Sequence, residues 1–148
     1  MTAPRAESLM RLEQEVGVLI RRVRRLIHER AAAVHPDLQP AAYLLLAHLA
    51  DVGPARASSV ADLFHIDKGA VSRQVSHLVE LGLVERTPDP DDGRASLLSA
   101  SPDAVARLDD MHVKRREWLS ERLAGWNEDD LDTLAVVMGR YNDALGMG

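Results

Sequence analysis

The sequence predicts a mainly α-helical chain with a small β wing, arranged as a winged helix-turn-helix core between long N- and C-terminal helices. Three observations favour this class. Two short helical patterns lie within residues 57–81, two short strand patterns flank a proline-bearing loop, and a long apolar-seamed helical pattern lies near each terminus. We therefore expect an N-terminal helix over residues 1–36, the winged core over 40–101 and C-terminal helices over 102–148.

The two helices of the core follow from caps and apolar spacing. The first is expected to begin at the cap candidates Ser58 or Ser59. Asp67 follows a short turn and is expected to cap the second helix, where its charge suits the positive end of the dipole. The residues expected to be buried are Val60, Ala61 and Phe64 in the first helix and Val71, Val75, Leu78 and Leu81 in the second.

The opposite face of the second helix is small and polar. A major groove about 12 Å wide admits such a helix, and arginine can bind a guanine edge bidentately. An ordinary amphipathic surface helix is the alternative that periodicity alone leaves open. The candidate DNA-binding residues on this helix are Lys68, Gly69, Ser72, Arg73, Gln74, Ser76 and His77.

The wing is predicted as two strands, Leu83–Thr87 and Ala95–Ser99, around a loop with two prolines and a glycine. Arg94 at the base of this loop is expected to enter a narrow, electronegative minor groove, with Asp92 orienting it. The alternative is a solvated ion pair between these two residues, contributing roughly 0–1 kcal/mol. Three nearby aspartates indicate that the loop tip points past the phosphate backbone.

The sequence resembles the MarR family of winged-helix transcriptional regulators in the segment AVSRQVSHLVELG and in LVERTPDPDDGR, which follows it. The matching features are a helix ending over Leu78–Gly82, a strand ending at Arg86, the Asp92-x-Arg94 wing and the Ser101 cap. The resemblance implies that Arg86, Asp92 and Arg94 belong to a DNA-binding surface. Gly93 stands where members often carry arginine, which weakens the expected minor-groove contact.

The composition is compatible with a DNA-binding regulator and excludes functions that need cysteine. The net charge is −5, but the first 100 residues carry 12 basic and 13 acidic residues, so the acidity is concentrated in the C-terminal part. DNA binding would rest on a local basic face and should weaken steeply with salt. The chain has no cysteine, which excludes thiol-based sensing and cysteine-ligated metal. We expect a cytoplasmic protein with no membrane span and no cofactor.

Each terminal helix carries an apolar seam that needs a partner surface. The seams are Leu9, Leu12, Val16, Leu19, Val23 and Leu26 before His35-Pro36, and Leu131, Leu134, Met138, Tyr141 and Leu145 after the Asn127 cap. They could pack on the chain's own core. The resemblance implies instead that they intertwine with a second subunit, which would place two recognition helices about 34 Å apart on a palindrome.

The remaining helices are predicted at 40–51 and from Ser101 to about Ala124, the latter with Leu108, Met111, Trp118 and Leu119 inward. Relatives of this kind often bind aromatic or phenolic effectors between the dimerisation helices and the DNA-binding unit. Each candidate has a simpler explanation as a core residue or an exposed histidine. The candidate effector-binding residues are His28, His35, Tyr43, His48, Met111, His112 and Trp118.

Other functions find less support in the residues. No phosphate loop, metalloprotease motif or nucleophile elbow is present, so an enzyme is not expected. A winged-helix module that binds protein would need an aromatic or aliphatic anchor on the exposed helix, and none is visible. The arginines at 21, 22, 24 and 25 are expected to form a solvated face with pairs such as Arg25 and Glu29, the alternative being phosphate contact. The sequence thus predicts a DNA-binding regulator, a repressor by resemblance.

Overall fold

The computed structural model describes residues 1–146 and confirms a mainly helical chain with a small sheet. The final two residues of the predicted C-terminal region lie outside this description. None of the helices within residues 1–146 combines the length and apolar character needed to cross a bilayer. The elements are α1 Ala3–Val34, α2 Pro40–Val52, β1 Ala55–Arg56, α3 Ala57–Phe64, α4 Lys68–Glu80, β2 Val84–Pro88, β3 Ser96–Ala100, α5 Pro102–Arg122 and α6 Glu128–Ala144.

The chain divides into two compact units, residues 1–111 and residues from 112 onward. The first unit contains the hydrophobic core, to which the end of α1, helices α2 to α4, the strands and the start of α5 all contribute. Leu45, Leu46 and Leu49 from α2 are almost fully buried there. Arg107 of α5 donates from Nη1 to the carbonyl of Val34 at 2.9 Å, which joins α5 to the end of α1.

The sheet is antiparallel with the order β1-β3-β2, so a short strand that precedes α3 pairs with the two strands expected of the wing. Residues 55–56 pair with Leu98 and Leu97, and a strand of two residues is too short to produce an alternating pattern. Strands β2 and β3 each begin one residue later than predicted. Leu83 is excluded from β2 because its N–H bonds to the carbonyl of Leu78 at 2.9 Å, closing the end of α4.

The expected cap of α3 was wrong. The helix begins at Ala57, and the N-cap position is held by Arg56 in extended conformation without a side-chain capping bond. Strand β1 runs directly into the helix, so Ser58 and Ser59 fall inside its first turn. Burial of Val60 and Ala61 agrees with the prediction, whereas Phe64 is only partly buried against the core.

The second unit holds the end of α5 and the whole of α6. Asn127 caps α6 as predicted, accepting from the N–H of Asp130 at 2.8 Å, and the Asp130 carboxylate accepts from the N–H of Asn127 at 3.2 Å. Trp118 was predicted to point inward, but its residue is 46% exposed and its ring lies against the Arg122 guanidinium. Aromatic character on a helix does not specify burial within one chain, and Trp118 is a correction to the sequence prediction.

Candidate nucleic-acid interface

Helix α4 is anchored to the core by one face and by its first turn. Val71, Val75 and Leu78 are buried, as their spacing predicted, whereas Leu81 is only partly buried. Asp67 Oδ1 accepts a hydrogen bond from the N–H of Ala70 at 2.7 Å, which satisfies one of the donors left unpaired at a helix start. The orientation of the helix about its own axis is therefore fixed by packing.

That orientation leaves a polar surface open to solvent. Arg73 lies at its centre, and its Nη1 is folded toward the first turn of the helix. A methyl group built on Gly69 would lie 3.5 Å from this atom and 3.1 Å from Asp67 Oδ1, so the missing side chain provides room for both groups. The exposed members of the predicted set on α4 are Lys68, Gly69, Ser72, Arg73 and Ser76.

Two predicted members of the set lie at the edge of this surface. Gln74 and His77 are only partly exposed. In the described part of the chain, the Nε2 atom of His77 is buried and has no hydrogen-bond partner. These two side chains border the polar face of α4 and do not lie at its centre.

The connection from α4 to the wing is a tight turn that depends on one glycine. Gly82 has a φ of 71°, a left-handed conformation that residues with a side chain rarely adopt. Ser101 donates from its hydroxyl to the Gly82 carbonyl at 2.8 Å and accepts from the N–H of Ala104 at 3.1 Å. The predicted cap of α5 thus also fastens the turn after α4 to the end of β3.

The wing loop is closed by short-range hydrogen bonds. The N–H of Asp89 donates to the carbonyl of Ala95 at 3.1 Å, and Asp92 Oδ1 accepts from the backbone N–H of Arg94 at 3.0 Å. Asp92 therefore shapes the backbone beside Arg94. The alternative interpretation, an ion pair between the two side chains, is not found among residues 1–146. Both side chains are exposed.

One aspartate of the loop has a structural role that no pattern in the sequence indicated. Asp89 is 5% exposed and pairs with Arg56, whose Nε lies 2.6 Å from Asp89 Oδ2. The N–H of Asp91 donates to Asp89 Oδ1 at 2.9 Å. The backbone N–H of Asp91 and then the Arg56 guanidinium hold the pKa of the Asp89 carboxyl below its usual value, against the opposing effect of burial. The ion pair joins residues far apart in sequence, and only its flanking prolines hinted at a constrained position.

A concavity of about 290 Å³ lies between α4 and the wing. Its lining includes polar groups from Ser72 of α4, Arg86 of β2 and Arg56 at the start of α3. Arg86 is exposed and stands opposite Leu98 in the strand register. The predicted residues Ser72 and Arg86, which are 14 positions apart, are thus brought to one surface.

The predicted effector-binding residues are not equivalent in the structure. Tyr43 and Met111 are buried in the core of the first unit. His48 packs edge-on against Phe64 with ring centroids 5.5 Å apart. The remaining candidates, His28, His35, His112 and Trp118, are exposed or partly exposed. Their participation in a ligand site stays a prediction.

Comparison with known proteins agrees with this architecture. A model of the MarR family matches residues 37–95, which span α2, the helix-turn-helix, β2 and the wing loop and end just before β3. The uncharacterized HTH-type transcriptional regulator YxaD of Bacillus subtilis is 31% identical over 134 residues, covering 90% of this chain and 92% of that protein.

Solved structures share the fold. A probable transcriptional regulator from Pseudomonas aeruginosa is 27% identical, with a TM-score of 0.60 over 88% of this chain and 98% of that chain. A mutant MarR from E. coli, complexed with operator DNA, has a TM-score of 0.61 at 22% identity, over 86% of this chain and 93% of that chain. At that identity the second similarity concerns the fold alone.

Fold and surface together define a transcriptional regulator with a DNA-binding winged helix. The chain belongs to the MarR family. Family and relatives are regulators and not enzymes, in agreement with the absence of catalytic motifs from the sequence.

Proposed function

We propose that this protein reads a palindromic operator as a homodimer, with α4 in the major groove and Arg94 in the adjacent minor groove. The observation that carries the proposal is the division of α4 into a buried apolar face and an exposed face centred on Arg73. The proposed DNA-binding residues are Lys68, Gly69, Ser72, Arg73, Gln74, Ser76, His77, Arg86, Asp92 and Arg94.

Dimerisation is supported by the apolar surface that the terminal helices leave open. In α1, Leu9, Leu12 and Leu19 are 38–44% exposed, and in α6 none of the residues described is buried. Soluble chains seldom leave such continuous apolar stripes uncovered. We assign the dimer contact to residues 1–36 and 102–148, and DNA binding to residues 40–101.

The central test is removal of the Arg73 side chain. Arg73→Ala should abolish specific operator binding while leaving the dimer intact, since a bidentate base contact is worth about 1–3 kcal/mol and the dimer has two copies. Arg116→Ala is the control for loss of charge, because Arg116 is also exposed outside the winged core, and sedimentation of both variants shows whether the dimer is intact. Gel-shift or anisotropy titration measures both; equal affinity for Arg73→Ala and the unmodified protein would contradict the proposal.

Selection of bound sites from random duplex DNA would test the dimer geometry independently. A homodimer should enrich a palindrome whose half-sites lie about one helical turn apart. A protein-binding winged-helix module, the second candidate, would enrich no motif. The absence of an aromatic or aliphatic anchor at the centre of the exposed α4 face favours DNA over that alternative.

We further propose that the protein is a cytoplasmic repressor released by a small aromatic effector, on the ground of its family. The proposed contacts are His28, Tyr43, His48, Met111, His112 and Trp118. Release requires that the effector bind more tightly to a dimer whose half-site spacing does not fit the operator. Calorimetry with salicylate-like compounds should show a heat of binding, and a DNA titration in their presence should show a loss of affinity. If neither is observed, the proposed effector is refuted.

A further inference from the structure

An ion pair joins the wing to the start of α3, beside the pairing of β1 with β3. Arg56 forms the end of β1 and the N-cap of α3, whereas Asp89 directly follows β2. Thirty-three residues separate the two positions. The Asp89 carboxylate is almost fully buried and the Arg56 side chain is 42% exposed, so the pair lies at the edge of the interface and its acidic member faces inward.

The backbone around Asp89 leaves the loop little freedom at that point. Asp89 stands between Pro88 and Pro90, and a residue before proline is restricted to extended conformations. Its N–H bonds to Ala95, and its carboxylate accepts from Arg56 and from the N–H of Asp91. Residues 90–94 therefore project from a fixed base, and Arg94, the residue before Ala95, lies beside that base.

The negative charge of Asp89 would by itself oppose DNA binding. A carboxylate near a DNA interface repels phosphate, so its removal should strengthen binding if charge alone mattered. A site residue must also be held in position by its supporting contacts, and loss of those contacts weakens binding. These two effects have opposite signs at Asp89, which makes them separable by experiment.

We propose that the Arg56–Asp89 ion pair positions the wing so that Arg94 reaches the DNA. Neither residue belongs to the predicted contact set, and both act through Arg94. The inference rests on the proposed function, because it presupposes that Arg94 contacts the operator. Its consequence is that the contribution of Arg94 to affinity depends on an intact carboxylate at position 89.

A double-mutant cycle tests this dependence. Affinity for the selected palindrome is measured by fluorescence anisotropy for the unmodified dimer, Asp89→Asn, Arg94→Ala and the double variant. Arg94→Ala should lower affinity about tenfold in the unmodified protein, the size expected for an arginine contact, and less than about twofold beside Asp89→Asn. Asp89→Asn by itself should weaken binding although it removes a negative charge.

Asp91→Asn is the matched control, because it removes the same charge from an exposed neighbour two residues away. It should not weaken binding. Arg94→Ala combined with Asp91→Asn should lower affinity by the same factor, about tenfold, as Arg94→Ala alone. If Asp89→Asn fails to fold by circular dichroism, Arg56→Lys and Arg56→Gln replace it. The lysine variant, which keeps a charge for Asp89, should retain more of the Arg94 contribution than the glutamine variant.

Two results would overturn the inference. They differ in whether the minor-groove contact of Arg94 is refuted as well. Equal losses from Arg94→Ala with and without Asp89→Asn would refute positioning while leaving the minor-groove contact in place. An Arg94→Ala variant with undiminished affinity would refute the wing contact itself, and the positioning role with it. Retained binding by Arg73→Ala, in contrast, concerns the major-groove proposal alone.

Discussion

Helices α4 and α6 begin alike and are used differently. Asp67 caps α4 and Asn127 caps α6, each through a side-chain oxygen that accepts an N–H from the first turn. Both helices carry apolar residues at spacings of three and four. Yet α4 buries its apolar face within the chain, whereas no described residue of α6 is buried. The cap and the apolar spacing therefore specify a helix in both cases. They do not specify which surface the apolar face of that helix packs against.

The largest effect on stability should come from truncating a side chain on the buried face of α4. Leu78 is fully buried, and Leu78→Ala should lower the free energy of unfolding by about 2–5 kcal/mol through lost burial and a residual cavity. Val79→Ala, at a position 39% exposed, should cost less than about 1 kcal/mol. Chemical denaturation measures both. Similar losses at the two positions would mean that α4 is not held by the face that the structure buries.

A charge on the open side of α6 should affect association and not the fold. Leu134 is 46% exposed, but the proposed dimer would cover it. Leu134→Glu would then bury an unpaired carboxylate, weakening the dimer by about 100-fold or more. Thr133→Glu, which adds the same charge to another side of the helix, should leave the dimer unchanged. Sedimentation at micromolar concentration distinguishes the two; a Leu134→Glu dimer of normal strength would argue that α6 has another use.

This contrast also explains which parts of the molecule the sequence could predict. Caps and apolar spacing are local, so Asp67, Asn127 and the buried faces of α3 and α4 were predicted within a residue or two. Exposure of Trp118 was missed because burial depends on what a helix packs against. The order of the helices and the wing likewise followed from patterns of a few residues.

The candidate site shows the same limit. The outward residues of α4 followed from the buried ones, since packing one face determines the other. Strand β1 and the Arg56–Asp89 pair were not predicted, because they join segments that only the tertiary fold brings together. Ser58 and Ser59 are plausible caps by type, but the path of β1 decides which residue stands before the helix.

A smaller effect should follow from removing a cap. Asp67→Ala leaves the N–H of Ala70 without its acceptor and should cost about 1 kcal/mol of folding stability. Asp67→Asn should cost much less, because asparagine caps nearly as well. Asn127→Ala should give a similar loss in α6, where burial is absent. Thermal and chemical denaturation provide the values, and a negligible loss at Asp67 would mean that packing alone sets the start of α4.

The smallest effect concerns the arginines on α1. Arg25 Nε lies 3.2 Å from Glu29 Oε1, and both side chains are largely exposed. Because such pairs contribute about 0.2–0.5 kcal/mol, Arg25→Ala should barely change stability. If this face is only solvated, the variant should also keep the operator affinity and its salt dependence. A phosphate contact would instead lower the magnitude of the slope of log affinity against log salt by about one. A titration of the operator at several salt concentrations therefore decides whether the DNA-binding surface ends at the wing or extends to the dimerisation helix.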